Sequence, residues 1–452
     1  MKLRAIKIIS FLLIAFLAGF LAWMMELQPW DESRRGINAL RMLQEGDFWS
    51  YRFLDQYDTF NTKPPFFTWM LALVFKWLGV TLFTLRLLSV GSFLALMLVF
   101  FNFLREWAGE SIAFFAVLIT VACNGLLGFH TGLGGDTDML FVLFLTIGLL
   151  AWFRFTQGVR GSLILLSVVS LSLAFLTKGL AVGLVIPALL FHAYLKREFI
   201  AKHRSFLAGS FGLGALLLFI IWRICFGFGL EISADYGNLW VQMFSTDGAT
   251  RFMDGGMEVG YQWGYLPSTL DIRFSPWIYV LYAGVFYSLV RFGIKKTVAY
   301  VRSDEFLLFS VLVVASVSSL LLLSQNKHQW YIAPMLPFLA YPVALIVKRF
   351  IGKRKGFFYG FCAVIVLIIG CRVYEATQII DPARISVSLQ EQQIQQMDSL
   401  VVPDKLPQNQ LFHIYLVNPD IRLLTKAKPG LPVLVKGSCE AGILSYCIVN
   451  PE

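Results

Sequence analysis

The chain has 452 residues, of which 57% are hydrophobic and only 15% charged, against about 25% charged residues in ordinary soluble domains. That balance excludes a soluble globular protein and marks an integral membrane protein. The net charge of +10 would suit a nucleic-acid binder, but the basic residues stand in short clusters between apolar runs, as cytoplasmic loops do under the positive-inside rule, so nucleic acid is excluded as a partner.

The first apolar run, residues 8–25, follows Lys2, Arg4 and Lys7. It is long enough to span and lacks a small-x-small cleavage site, so an uncleaved first span is expected instead of a secretory signal. Ten further spans are predicted at 83–104, 111–129, 138–156, 162–177, 179–195, 206–226, 276–292, 305–324, 331–347 and 356–373. With eleven crossings and the N-terminus inside, Arg105, Arg154, Arg160, "LKREFIAKHR", "RFGIKKTVAYVR" and "KRFIGKRK" all fall on the cytoplasmic side. Counting "PPFFTWMLALVFKWLG" (64–79) as a crossing would reverse every later cluster, so it is expected to lie along the outer face as an amphipathic element.

The outward segments are then a first loop, "HTGLGGDTD", residues 227–275 and the tail from 374. In the tail, "ISVSLQEQQIQQMDSL" has a helical pattern, while "NQLFHIYLV", "LPVLVKG" and "GILSYCIV" read as short strands. The expected organisation is an all-α polytopic membrane domain over 1–373 and a small extracytoplasmic α/β domain over 374–452. Cys439 and Cys447 have the spacing of a small loop that an oxidising periplasm would close, or they are two free thiols. Cys123, Cys225, Cys362 and Cys371 lie in or beside apolar runs without metal-ligand spacing, and the five histidines show no H-x-x-x-H pattern.

The outward polar groups have plain structural readings and sharper ones. In "WDESRR", Asp31 would cap a helix and Arg34 and Arg35 would anchor to head groups. "NTKPPFFTW" adds Lys63 at the membrane surface, where a fixed cation faces lipid phosphate. Asp136 and Asp138 flank the start of a span and complement its dipole; a D-x-D triplet also suits a divalent cation, although a metal at this pair is not expected. Lys178 in "LTKG" interrupts two apolar runs, is expensive there unless paired, and has Asp138 as a plausible partner. Arg251 lies among aromatic residues in a later loop, and Trp330 and Tyr331 open a Pro-rich span as an aromatic belt would.

Taken in order, "WDESR…LQEGDF", "TKPPFFTW", "DTDMLF", "LTKG", "TRFMD" and "WYIAPMLP" resemble the polyprenyl-phosphate-sugar-dependent glycosyltransferases of the GT-C superfamily. The lipid A aminoarabinose transferases are the nearer relatives and the protein O-mannosyltransferases lie further off. The resemblance covers about residues 1–350 and implies a GT-C-like fold. It implies that the D-E pair Asp31 and Glu32 is catalytic, with Asp31 the catalytic carboxylate. Arg34, Lys63 and Arg251 would surround the donor phosphate, and Asp138, Lys178 and Tyr331 would support the substrate. The relatives often have Glu and an aromatic residue before K-P-P where this chain has "FNT", so the substrate pocket is expected to differ. The implied reaction moves a sugar from undecaprenyl phosphate, with inversion, to a lipid A, glycan or protein acceptor at the outer face of the bacterial inner membrane. No cofactor is implied beyond the lipid-linked donor, and membrane lipids are the other partners. A flippase of lipid-linked sugars would instead bury charges midway along discontinuous spans, and a ligase joining lipid-linked oligosaccharides differs only in its product.

Overall fold

A computed structural model describes the chain apart from residues 1, 29, 59–60, 129, 159–160, 228–263, 326, 352–354, 379–390, 404–405, 427–430, 437–445 and 450–452. Helices dominate. The order is α1 (Lys2–Met24), α2 (Asp31–Glu45), a two-stranded hairpin (β1, Arg52–Phe53; β2, Gln56–Tyr57), α3 (Phe66–Leu78), α4 (Leu82–Trp107), α5 (Glu110–Ala122), α6 (Thr137–Gln157) and α7 (Gly161–Lys178). A 3-10 segment (Gly179–Val185) follows, then α8 (Ile186–Leu195), α9 (Arg197–Lys202) and α10 (Arg204–Gly227). After the undescribed stretch come α11 (Tyr265–Phe274), α12 (Trp277–Ser303), α13 (Glu305–Leu323), a second 3-10 segment (Gln329–Met335), α14 (Leu336–Ile351) and α15 (Lys355–Thr377).

Among the described residues, six helical runs are long and apolar enough to cross a bilayer: Leu82–Trp107, Thr137–Gln157, Gly161–Leu195, Trp277–Ser303, Glu305–Leu323 and Gln329–Ile351. Four shorter apolar helices accompany them, at Phe11–Met24, Phe66–Leu78, Glu110–Ala122 and Arg204–Ile220. Two local features differ from the expected spans. Residues 162–195, read as two spans, form one apolar run whose helix is interrupted where Gly179 takes a φ of +61° directly after Lys178. The span expected at 111–129 stops as a helix at Ala122, because the glycine-rich stretch that follows folds into a buried loop. Helix α3 is 13 residues long, shorter than the roughly 20 residues that cross a bilayer alone. Its outward face is apolar, with Trp77 and Leu78 exposed, so its amphipathicity is weaker than expected.

Helix α6 is the central post, with 83% of its apolar window buried, whereas α12 has 17% of its window buried and turns Tyr279, Phe286 and Val290 outward. One helix is core and the other faces lipid. At the C-terminal end of α6, Phe153 packs with Phe306 (5.1 Å) and Phe309 (5.4 Å), and Tyr341 closes this cluster by donating to Asp304 at 2.6 Å.

Residues 391–449 add α16 (Glu391–Gln395), β3 (Ser399–Val401), α17 (Gln408–Val417), β4 (Arg422–Leu424), β5 (Val433–Lys436) and β6 (Tyr446–Val449). The sheet order is β4-β3-β5-β6; β3 is parallel to β4 and β5, and β6 is antiparallel to β5. "NQLFHIYLV", expected as a strand, is instead helix α17. Its buried Leu411, Phe412, Ile414 and Tyr415 recur at helical spacing, and a helix is what joins the parallel strands β3 and β4. The expected Cys439 to Cys447 pairing lies outside the described residues, since Cys439 and the Cys447 side chain are not described.

This small domain rests on α2. The Phe412 ring stacks with Phe75 at 6.4 Å and occupies the space where a side chain at Gly36 would lie. Gln44 donates to the Pro419 carbonyl at 2.6 Å, and Thr425 donates to Asp55 at 3.0 Å. Helix α2 is thus held between the membrane bundle and the C-terminal sheet.

Candidate active site

The site is built around the start of α2, and a buried arginine fixes that start. Arg86, 1% exposed on α4, pairs with Glu32 through Nε to Oε1 (2.6 Å) and Nη2 to Oε2 (2.9 Å). Its remaining donors reach the carbonyls of Ala22, Met25 (2.8 Å) and Glu26 (3.0 Å) at the end of α1. Glu32 also accepts from the backbone N–H groups of Gly135 (2.7 Å) and Gln28 (2.9 Å). A buried charge is tolerated only when it is paired and hydrogen-bonded in this way. Gly135 must be glycine for the approach, because a Cβ there would meet the Leu85 carbonyl oxygen at 2.9 Å. Glu32, expected beside Asp31 among the reacting groups, is 2% exposed with both oxygens engaged, and these contacts tie the start of α2 to α4.

Asp31, one residue earlier, is different. Its carboxylate is 38% exposed, 4.0 Å from Arg35 Nη2 one turn along and 3.9 Å from His130 Nδ1. Arg35 is 5% exposed; its Nε donates to Asp136 Oδ1 at 2.8 Å and its Nη1 to Asn61 Oδ1 at 3.4 Å. Asp136 caps α6 by accepting the Thr137 N–H at 2.6 Å, and its other oxygen lies 3.2 Å from His130 Nδ1. Burial resists the Asp136 charge, but Arg35 and His130 outweigh it and hold the carboxyl well below its usual range. Burial also opposes a charged His130, yet its bond to Asp136 and the nearby Asp136, Asp138 and Asp31 charges raise it above the ordinary histidine value. The His130 ring stacks on Trp330 at 3.8 Å and 22°, and Trp330 stacks on His328 at 4.6 Å and 9°. The loop residue His130 and the start of the second 3-10 segment at Trp330 therefore meet beside Asp31.

Arg34 and Lys63, both expected at the donor phosphate, have separate settings. Arg34 makes a two-pronged bond to Asp58 (2.8 and 2.7 Å) and lies over the Phe53 ring at 4.4 Å. Arg34 and Arg35 are neighbours in sequence but about 100° apart around a helix, so only one can turn toward Asp136, and it is Arg35. Lys63 is half-buried at the Pro64-Pro65 turn into α3; its carbonyl accepts from the Tyr51 hydroxyl at 3.0 Å and its N–H reaches Asn61 Oδ1 at 3.4 Å. Asn61, inside the divergent "FNT", thus links the Lys63 backbone to Arg35. Arg251 lies outside the described residues.

The partnership of Asp138 with Lys178 is present. Lys178 Nζ pairs with Asp138, and the ammonium sits 5.2 Å from the centre of the Tyr331 ring and 5.8 Å from that of Phe141. This brings Asp138, Lys178 and Tyr331 together from three distant parts of the chain. Asp136 pairs with Arg35 while Asp138 pairs with Lys178, so the two carboxylates of D-T-D are held by different cations. Asp31, His130 and Asp136 do place one potential ligand atom each within 4.8 Å of one another. Both Asp136 oxygens are already engaged there, one by the Arg35 guanidinium, so the residues fit a charge-balanced cluster better than a cation cage.

The members that sequence did not single out are His130 and Arg86; Arg35 and Trp330 were read as a head-group anchor and part of an aromatic belt. A lone arginine in "LFTLRLLSV" was the available signal for Arg86, since an intramembrane charge demands a named partner. Nothing in sequence marks His130, whose role arises from a fold-back of its loop with φ of +58°.

The profile of the dolichyl-phosphate-mannose-protein mannosyltransferase family matches residues 62–222. An uncharacterized protein of Aquifex aeolicus (strain VF5) is 28% identical over 388 residues, covering 82% of this chain and 79% of its own. The undecaprenyl phosphate-alpha-4-amino-4-deoxy-L-arabinose arabinosyl transferase of Pseudomonas savastanoi pv. phaseolicola (strain 1448A / Race 6) is 25% identical, covering 77% of this chain and 62% of its own. Among solved structures, ArnT from Cupriavidus metallidurans bound to undecaprenyl phosphate superposes with a TM-score of 0.66 at 16% identity, over 93% of this chain and 86% of that one. The chain has the GT-C fold, and in sequence it resembles the polyprenyl-phosphate-sugar-dependent glycosyltransferases.

Proposed function

We propose that the protein is an inverting glycosyltransferase of the bacterial inner membrane that takes a sugar from undecaprenyl phosphate and gives it to an extracytoplasmic acceptor: lipid A, a glycan or a protein. The observation that carries this reading is Asp31, an accessible carboxylate on a rigidly anchored helix start beside Arg35 and His130. In the reaction, the acceptor hydroxyl oxygen attacks the anomeric carbon from the face opposite the phosphate. The carbon–oxygen bond to the lipid phosphate breaks, and Asp31 takes the hydroxyl proton. Lys63 and Arg251 would stabilise the charge that develops on the departing phosphate, as fixed cations do without a metal. The ArnT structure bound to undecaprenyl phosphate and the aminoarabinose-transferase relative support the donor class. Transfer of label from a polyprenyl-phosphate sugar to endogenous acceptors in membranes tests the reading; a requirement for a nucleotide sugar as direct donor would overturn it.

Three further outcomes follow. Lys63→Ala should weaken donor binding by about 1.5–3 kcal/mol, read as a raised KM for the lipid donor with the fold intact. EDTA should leave transfer unchanged, and loss restored by magnesium or manganese would instead favour a cation at Asp31, His130 and Asp136. A reporter active only in the periplasm should work when fused after residue 452 and stay silent near 354; the reverse would place Asp31 in the cytoplasm.

A further inference from the structure

At the end of α6 away from Asp136, a groove of about 600 Å³ opens between α4, α6 and α7. Its walls divide by chemistry. One half is apolar, with Val99, Ile147, Leu150 and Leu166; the other carries Asn102, Glu106, Arg154 and Gln157. All three walls belong to helical runs long and apolar enough to cross a bilayer. Helix α6 has 21 residues, about 30 Å at 1.5 Å per residue, so Arg154 and Gln157 in its last turn stand at the opposite membrane boundary from Asp136. The polar half therefore lies at head-group depth and the apolar half at acyl-chain depth.

We propose that this groove holds one phospholipid with a zwitterionic, primary-amine head group. Its polar end offers one charge of each sign: Arg154 Nη2 lies 3.1 Å from Glu106 Oε2, and the Glu106 side chain is 64% exposed. Arg154 lies 4.9 Å from the centre of the Phe103 ring and 5.8 Å from that of Trp107, which fixes the guanidinium against an aromatic wall. A phosphodiester matches Arg154, and an ammonium with N–H donors matches Glu106. A purely anionic head group would leave Glu106 facing negative charge, and a quaternary ammonium has no N–H to donate. The apolar half of the groove takes the upper acyl chain.

The test is competitive lipid retention. Purified full-length protein is equilibrated with vesicles containing equal amounts of phosphatidylethanolamine, phosphatidylcholine and phosphatidylglycerol with identical chains, and retained lipids are counted by native mass spectrometry. Phosphatidylethanolamine should be retained over each of the others by roughly fivefold, the scale of one partly exposed ionic contact. Glu106→Gln, at an exposed position, should abolish the preference over phosphatidylcholine, and Arg154→Gln should lower retention of all three. Progressive N-methylation of the head group should lower retention stepwise in the unaltered protein, so the outcome does not depend on a variant that folds. Equal retention of the three lipids, a preference for phosphatidylglycerol, or a preference unchanged in Glu106→Gln would each overturn the proposal.

Discussion

Asp31→Asn should lower sugar transfer by about 10²–10⁴-fold, the range a positioned general base contributes. The amide matches the carboxylate in shape and can still accept a hydrogen bond, but it cannot take up the acceptor's proton. Stability should hardly change, because Asp31 is partly exposed and its contacts to Arg35 (4.0 Å) and His130 (3.9 Å) are long. Transfer and thermal unfolding are therefore measured on the same preparation. Near-normal turnover with a hydroxyl acceptor would reduce Asp31 to a helix-start residue and sink the mechanism. An acceptor that is itself a phosphate presents an anionic oxygen, and there Asp31 would orient the substrate with a smaller loss on substitution.

Arg86→Ala should cost about 3–5 kcal/mol, the penalty for stranding one half of a buried ion pair. The loss spreads further than one pair, since the same guanidinium ties the Ala22, Met25 and Glu26 carbonyls to α4. Among the described residues, Glu32 would be left buried with the Gly135 and Gln28 N–H groups as its partners. Thermal unfolding in detergent or nanodiscs reads the effect directly. Arg86→Met combined with Glu32→Leu should recover part of the stability, because it removes both charges, but not all, because the carbonyls and N–H groups lose partners that apolar side chains cannot replace. An Arg86→Ala protein as stable as the parent would mean that α2 is anchored by packing alone, against Phe412 and the α3 face.

Sequence alone determined the membrane class and the clustering of basic loops, because each rests on local composition. It also paired Asp138 with Lys178, since an ammonium between two apolar runs needs a carboxylate and few were within reach. Three matters were decided by tertiary structure. The rotation of α2, set by a Glu32–Arg86 bond across 54 residues, turns Arg35 to Asp136 and leaves Arg34 to Asp58. Residues 408–417 carry β-forming side chains yet form a helix, because a parallel β3–β4 pair needs a crossover and α2 offers an apolar seat. His130 gains its role only where its loop folds back to stack on Trp330, 200 residues later in the chain, a meeting that no periodicity or spacing encodes.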